Sequence, residues 1–254
     1  MALVRVAAVS YLNTVPFIYG IRHSGKCPGV SLLLSPPAGC AKAMADGSAD
    51  IALIPIAEIP SIKEISVIGS HCIGAKDTVR TVVLLSSSPV EKIKKIYLDP
   101  HSRTSVALAR ILVREFWKTE QQWLDINDYS AVAPREGVGY VLIGDKVFGY
   151  EERFAYKYDL AHQWHEFTGL PFVFAAWVAR AGVDEQAVKQ LNEALEYGVT
   201  HISEAAKYTS VVDYHTAVSY LTDNIDFRLD SLKRRAMDLF WEKHRENAPH
   251  INPG

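Results

Sequence analysis

Short runs of apolar, strand-forming residues alternate along this chain with amphipathic helical patterns. The runs are 3–9 ("LVRVAAV"), 30–34, 50–54, 66–69, 81–87, 95–99, 138–145 and 172–179. A half-exposed strand alternates apolar and polar residues. Several of these runs are apolar throughout, as strands covered on both faces are, and such strands belong to largely parallel sheets. Between them, Leu108, Ile111, Leu112 and Phe116 recur on one face of a helix over 103–116. Val188, Leu191, Leu195, Val199 and Ile202 do so over 184–202, where Asp184 is placed as N-cap. Leu232, Ala236, Leu239 and Phe240 mark a third helix over 230–244, and residues 37–46 a short one closed by Gly47. Strand–helix–strand succession predicts an α/β fold.

At 254 residues the chain is long for one simple open sheet. It reads as two α/β lobes joined by extended crossings near 84–90 ("LLSSSPV") and 174–180 ("FAAWVAR"). Residues 1–90 with 175–254 then make one discontinuous lobe, and 91–174 an inserted second. The net charge of −2 leaves no electrostatic footprint for nucleic acid or an acidic membrane. No run approaches the roughly 18–20 apolar residues of a membrane span. The N-terminal segment carries Arg5 inside its apolar run and ends at a polar turn, so it reads as a first strand rather than a secretion signal, and a cytoplasmic protein is expected. Cys27, Cys40 and Cys72, odd in number and far apart, fit reduced thiols. The end, 245–254 ("ENAPHINPG" at its close), has the composition of a loose tail.

In open α/β sheets, ligands sit beyond the carboxyl ends of strands, at helix N-termini. Four polar turns occupy such places: "SYLNT" (10–14), "SSS" (86–88), "DPHSRTS" (99–105) and "IGD" (143–145). Free N–H groups and the positive end of a helix suit a carboxylate or phosphate. With Ser102, Arg103, Thr104 and Ser105, the third turn reads as an anion cradle or as a set of helix caps. Tyr11, Phe172 and Trp177 stand where a ring could meet a planar ligand. His162 and His165 have spacing for a metal but no third ligand beside them. His71–Cys72 reads as a packed pair, and Glu58, after a strand, as a solvated carboxylate. There is no GxGxxG, P-loop or GxSxG pattern, which argues against a Rossmann cofactor, a nucleotide triphosphatase and an α/β-hydrolase. The residues by themselves describe a two-lobed α/β protein with a cleft for a small anion, binder or enzyme.

"VSYLNTVPFIYGI", "SPPAGCAKAMADGSADIALIPIAEI", "LDPHSRTSVALARIL", "VGYVLIGD" and "LPFVFAAWVAR", in this order and spacing, resemble the menaquinone-biosynthesis chorismate dehydratase family of the futalosine pathway. The resemblance implies a type II periplasmic-binding-protein fold, with two lobes, two hinge crossings and the ligand in the cleft. It implies a cytoplasmic hydro-lyase needing no metal or organic cofactor, which converts chorismate to 3-[(1-carboxyvinyl)oxy]benzoate and water. It places Asn13 in the active site, where an amide, a poor base, would position the ring or the departing hydroxyl. Ser86 joins Asn13 as a candidate catalytic residue at the first crossing, with Ser87 beside it for the second carboxylate or the ring hydroxyl. Ser10 and Tyr11 would meet the substrate. Ser102, Thr104 and Ser105 would hold one carboxylate while Arg103 aims outward toward an acidic neighbour. Asp145 and Phe172 complete the expected contacts. The base for the C3 proton is left open, a substrate carboxylate being chemically able to serve. The partner is the small dicarboxylate alone, with no nucleic acid or membrane, and the protein is a monomer or homodimer. The other readings are a non-catalytic anion binder of the same fold and the related 1,4-dihydroxy-6-naphthoate synthase.

Overall fold

The computed structural model describes residues 3–247. Its strands are β1 (Val4–Val9), β2 (Val30–Ser35), β3 (Ile51–Pro55), β4 (Ile65–Ala75), β5 (Val82–Ser86), β6 (Lys95–Leu98), β7 (Gln122–Asp125), β8 (Val138–Ile143), β9 (Tyr156–Asp159), β10 (Phe172–Arg180) and β11 (Asp226–Arg228). The α-helices are α1 (Val15–His23), α2 (Pro37–Ala45), α3 (Thr104–Ile111), α4 (Leu160–Thr168), α5 (Glu185–Thr200), α6 (Ile202–Ala205), α7 (Tyr214–Ser219) and α8 (Ser231–Glu246). Both α3 and α7 run on into π-helical turns, Leu112–Trp117 and Tyr220–Asn224. Of the expected tail, Arg245 and Glu246 belong to α8, and 248–254 lie outside the described residues.

The strands sort into two sheets, ordered β11-β4-β10-β3-β1-β2 and β7-β6-β8-β5-β9. Each sheet, with the helices on it, is one lobe. The expectation of largely parallel sheets needs correcting. β1 pairs β2 and β3 in parallel, and β6 pairs β7 and β8 in parallel, but β10, β11, β5 and β9 all join antiparallel. The apolar runs report burial on both faces, which mixed sheets also provide. All five residues of β5 are buried, with Val83 and Leu85 facing one apolar cluster and Val82 and Leu84 the other.

The lobe boundary also moves. β5 lies within the second sheet, paired on both sides, so the first crossing is 76–81, between β4 and β5, rather than 84–90. The chain returns through α4, and 174–180 is the inside of β10, a strand paired to β3 and β4 in the first sheet. An extended, apolar stretch at a domain border looks the same in sequence whether it crosses or pairs.

Register sets where the two sheets meet. β1 and β3 end together, and the antiparallel β10 brings Ala175 opposite Pro55. In the second sheet β6 and β8 end together, and the antiparallel β5 begins there, Val82 opposite Ile143. The turn after β1 is braced from behind, because α1 crosses α5 through Gly20 and Gly198. A side chain on Gly20 would strike the Ala194 carbonyl, and one on Gly198 the Pro16 carbonyl.

Candidate active site

The ends of β1, β3, β6 and β8 and the starts of β5 and β10 enclose a cleft. Tyr11, Asn13, Ser102, Arg103, Thr104 and Ser105 all line it. It holds about 70 Å³, well under the roughly 300 Å³ at which small-ligand pockets begin. A larger hollow, about 550 Å³, lies at the opposite end of the first sheet. Of its charged lining, Arg5 pairs with Asp50, Asp184 caps α5, and Arg180 donates to the Met44 carbonyl.

The turn after β1 folds as a 3-10 turn, Leu12–Thr14, leading into α1. Asn13 Oδ1 accepts from the Thr14 hydroxyl at 3.0 Å. The Tyr11 ring packs against Gly144, whose φ of +69° and lack of a side chain permit the approach; a Cβ there would sit 3.1 Å from the ring. Burial pushes the Tyr11 phenol up to about 12, with the Asp99 and Asp145 carboxylates adding. Tyr11 is therefore a neutral donor at any ordinary pH.

The opposite wall is the start of α3. Ser102 Oγ accepts from the Ser105 N–H at 3.2 Å, the cap expected of this turn. Thr104 Oγ1 accepts from the Ala57 N–H of the other lobe at 3.2 Å, which leaves its own hydroxyl proton free. The N–H groups of a helix's first turn have no intrahelical acceptor. Arg103 points outward, 3.5 Å from Glu58 and more than half exposed, so Glu58 is paired rather than merely solvated.

Beneath this turn lies a group that sequence reasoning passed over. Asp99, fully buried, accepts from Tyr129 Oη at 2.6 Å, Lys146 Nζ at 2.6 Å, and the N–H groups of His101 at 3.1 Å and Ile143 at 3.3 Å. One carboxylate thus ties the turn before α3 to the end of β8. The bond from Asp99 to the N–H two residues on is an Asx turn, the local signal that an Asp-Pro pair offers. His101, Thr81 and Phe174 also line the cleft and were not singled out.

Six expected contacts lie elsewhere. Ser86 and Ser87 sit at the far end of β5. Ser86 is opposite Gly139, four residues along from Val82, or about 13 Å at strand rise. The Ser86 hydroxyl donates to the Val138 carbonyl and accepts from the Ser88 N–H, and it is fully buried. The sequence argument had the polar turn at the end of β5 opening on the cleft; because β5 is antiparallel, its beginning does so instead. Phe172 packs in the core against Trp164 and Phe240, with ring centroids 5.3 and 5.5 Å apart, and Phe174 two residues on faces the cleft. Trp177 is likewise a core ring, against Phe17. Ser10 is exposed, its N–H spent on the Ser35 carbonyl. Asp145 does not line the cleft; its carboxylate accepts the Leu12 N–H at 3.0 and 3.2 Å across the lobes. Burial raises its pKa, against the Leu12 bond and the Lys146 charge.

The first crossing is held by Asp159, whose carboxylate accepts from the N–H groups of Val79, Arg80, Ala161 and His162. His162, one of the two histidines spaced three apart, clips α4 to Asp77 at 2.6 Å. Among the described residues, no three His, Cys, Asp or Glu side chains come together as a metal site would. The hydrogen bond to Asp77 raises the His162 pKa. The clip's stabilisation is therefore complete below the unfolded imidazole value and is lost as pH rises through the raised folded one. Because the pair is largely exposed, about 0.2–1 kcal/mol is at stake. Urea midpoints should fall slightly between pH 6 and 9, and His162→Gln should flatten that slope; an unchanged slope would exclude the clip.

Solved structures share this architecture at low sequence identity. A protein of Archaeoglobus fulgidus superposes with a TM-score of 0.74 at 12% identity, over 96% of this chain and 97% of its own. A Candida albicans gene product described as having the generic periplasmic binding protein fold superposes at 0.70 and 12%, over 100% and 92%. An alkanesulfonate-binding protein of Xanthomonas axonopodis pv. citri does so at 0.64 and 12%, over 98% and 95%. They establish a periplasmic-binding-protein fold. In sequence, 154 residues are 29% identical to a chorismate dehydratase of Campylobacter jejuni, and that match spans 59% of each protein. No described helix is long and apolar enough to cross a membrane. The menaquinone-biosynthesis family matches residues 4–246, nearly the whole chain, and the protein belongs to that family.

Proposed function

We propose that the protein is a chorismate dehydratase, removing the C4 hydroxyl and C3 proton of chorismate to give 3-[(1-carboxyvinyl)oxy]benzoate. The observation that carries this reading is the convergence, in one cleft, of the Asn13 turn and the 102–105 turn from opposite lobes. Chorismate is a dianion with one hydroxyl to lose. The start of α3 offers uncharged donors suited to a carboxylate, and Tyr11 stays neutral beside them. Elimination makes the ring aromatic, so the protein need not drive the reaction. It must orient the substrate, exclude water and help hydroxide leave. The free volume of about 70 Å³ requires the lobes to part before a substrate enters. Closure over it then restores the contacts from Asp145 to Leu12 and from Thr104 to Ala57.

The deciding experiment mixes chelator-treated protein with chorismate and follows product mass. Loss of one water, at a rate proportional to protein, is expected. Unchanged chorismate with ligand-induced thermal stabilisation would turn the reading to a binder. Unchanged chorismate without stabilisation would remove this substrate.

Thr104→Val tests the cradle. It removes the free hydroxyl proton and leaves the Ala57 N–H without its acceptor. KM should rise about tenfold, the equivalent of one lost charge-assisted hydrogen bond of roughly 1.4 kcal/mol, with kcat changed less. A KM equal to that of wild type would make Thr104 a structural contact only.

A further inference from the structure

The C-terminal part of the chain reaches the cleft at one point that the reading above does not use. Tyr220, in the π-turn after α7, is 1% exposed and its ring stands edge-on to Phe148 at 5.4 Å. Its hydroxyl lies 2.7 Å from Thr81 Oγ1. Asn13 lines the same wall of the cleft as Thr81, and it counts among the groups that hold down the raised pKa of the phenol. Thr81 stands on the crossing just before β5 and borders the cleft beside Asn13. Three distant parts of the chain therefore meet here: the turn after β1, the first crossing and the C-terminal π-turn.

The direction of these hydrogen bonds follows from what each group has left to give. Asn13 Oδ1 already accepts from the Thr14 hydroxyl, so only the N–H side of the amide is left to offer a neighbouring oxygen. A buried phenol must place its own proton, and Thr81 Oγ1 is the acceptor within reach. Thr81, accepting from Tyr220, keeps its own hydroxyl proton. No protein acceptor for that proton is found among the described residues, and the cleft is the open side. A chain of donors pointing one way strengthens each member.

We propose that Thr81 is a further substrate-contacting residue, donating its hydroxyl proton to an oxygen of the bound dianion, and that Tyr220 is the positioning residue that orients both Thr81 and Asn13. The inference rests on the cleft being the dehydratase site. It adds a donor from the hinge itself, so the donor comes into register only when the crossing and the β1 turn are held together.

The test uses the full chain with Tyr220→Phe, Thr81→Val and Thr81→Ser. It has two readouts: steady-state kinetics with chorismate, and the side-chain amide NMR signals of Asn13, identified by their disappearance in Asn13→Asp. Tyr220→Phe removes one oxygen and keeps the ring. It should lower kcat by about 10–10²-fold with KM within about twofold, as for loss of an orienting group, and the Asn13 amide signals should shift and exchange faster. Thr81→Val should lower kcat similarly, and Thr81→Ser, which keeps the hydroxyl, should restore most of it. Wild-type kcat in Thr81→Val, or unchanged amide signals and kcat in Tyr220→Phe, overturns the proposal. If the wild-type protein leaves chorismate untouched, the dehydratase reading falls, and the amide signals alone decide: unchanged in Tyr220→Phe, they overturn the relay; altered, they support Tyr220 as the group that orients Asn13.

Discussion

Asn13→Ala is expected to slow chorismate turnover by about 10²–10³-fold while shifting the melting temperature by no more than about 3 °C. The kinetic effect is large because the amide stands at the cleft wall with its oxygen held by a neighbouring hydroxyl. Thr14 donates to its oxygen, and Thr81 lines the cleft beside it. A fixed dipole costs no reorganisation when charge develops on a departing oxygen, which a mobile water cannot match. The stability effect is small because Asn13 is only half-buried and its strongest partner is its own neighbour. Turnover within threefold of wild type, with the fold intact, would remove Asn13 from the mechanism.

Asp99→Ala should be the most destabilising single change near the cleft. It strips the acceptor from Tyr129, Lys146, His101 and Ile143 together. Lys146, three-quarters covered and lying 4.5 Å from the Tyr129 ring centroid, loses its counter-charge. Breaking a buried pair from one side costs about 3–5 kcal/mol, and at roughly 2–4 °C per kcal/mol for a chain of this size the melting temperature should fall by about 6–20 °C. Asp99→Ala with Lys146→Met should recover part of that loss, because no unpaired charge then remains. A single-variant melting temperature within 2 °C of wild type would show that the network contributes little. The same variant should bind chorismate more weakly, since the turn carrying Ser102 and Thr104 loses its anchor.

The central strands of both sheets were legible because their apolar runs are nearly unbroken. The three strands that escaped, β7 ("QWLD"), β9 ("YKYD") and β11 ("DFR"), are all sheet edges. Edge strands face solvent, carry charge and are short, so periodicity has nothing to grip. Strand direction was illegible for a different reason, since an apolar run reads the same either way along a sheet. That is how Ser86 and Ser87 came to be expected in the cleft while Thr81, at the other end of the same run, was not. The turns 10–14 and 99–105 were visible as clusters of hydroxyls and amides at strand ends. The Asp99 network was not, because Tyr129 and Lys146 come from separate loops and meet only through the packing of the second sheet. Phe172 and Phe174 share a strand face, and only depth along the strand divides core ring from cleft ring.

The hydrogen bonds from Leu12 N–H to Asp145 and from Ala57 N–H to Thr104 share an asymmetry. In each, the first lobe gives a main-chain donor and the second a side-chain acceptor. Exchange of a side chain cannot delete a main-chain N–H unless proline is introduced. At these two bonds, inherited variation in strength is therefore confined to the second lobe's side of the cleft. In the closure proposed above, each 1.4 kcal/mol gained or lost at position 104 or 145 would move the open–shut balance tenfold, whereas positions 12 and 57 are free to follow the demands of packing. Divergence among family members in the ease of closing should accordingly track residues 104 and 145, and homologues adapted to different temperatures should differ there before they differ at the partner positions.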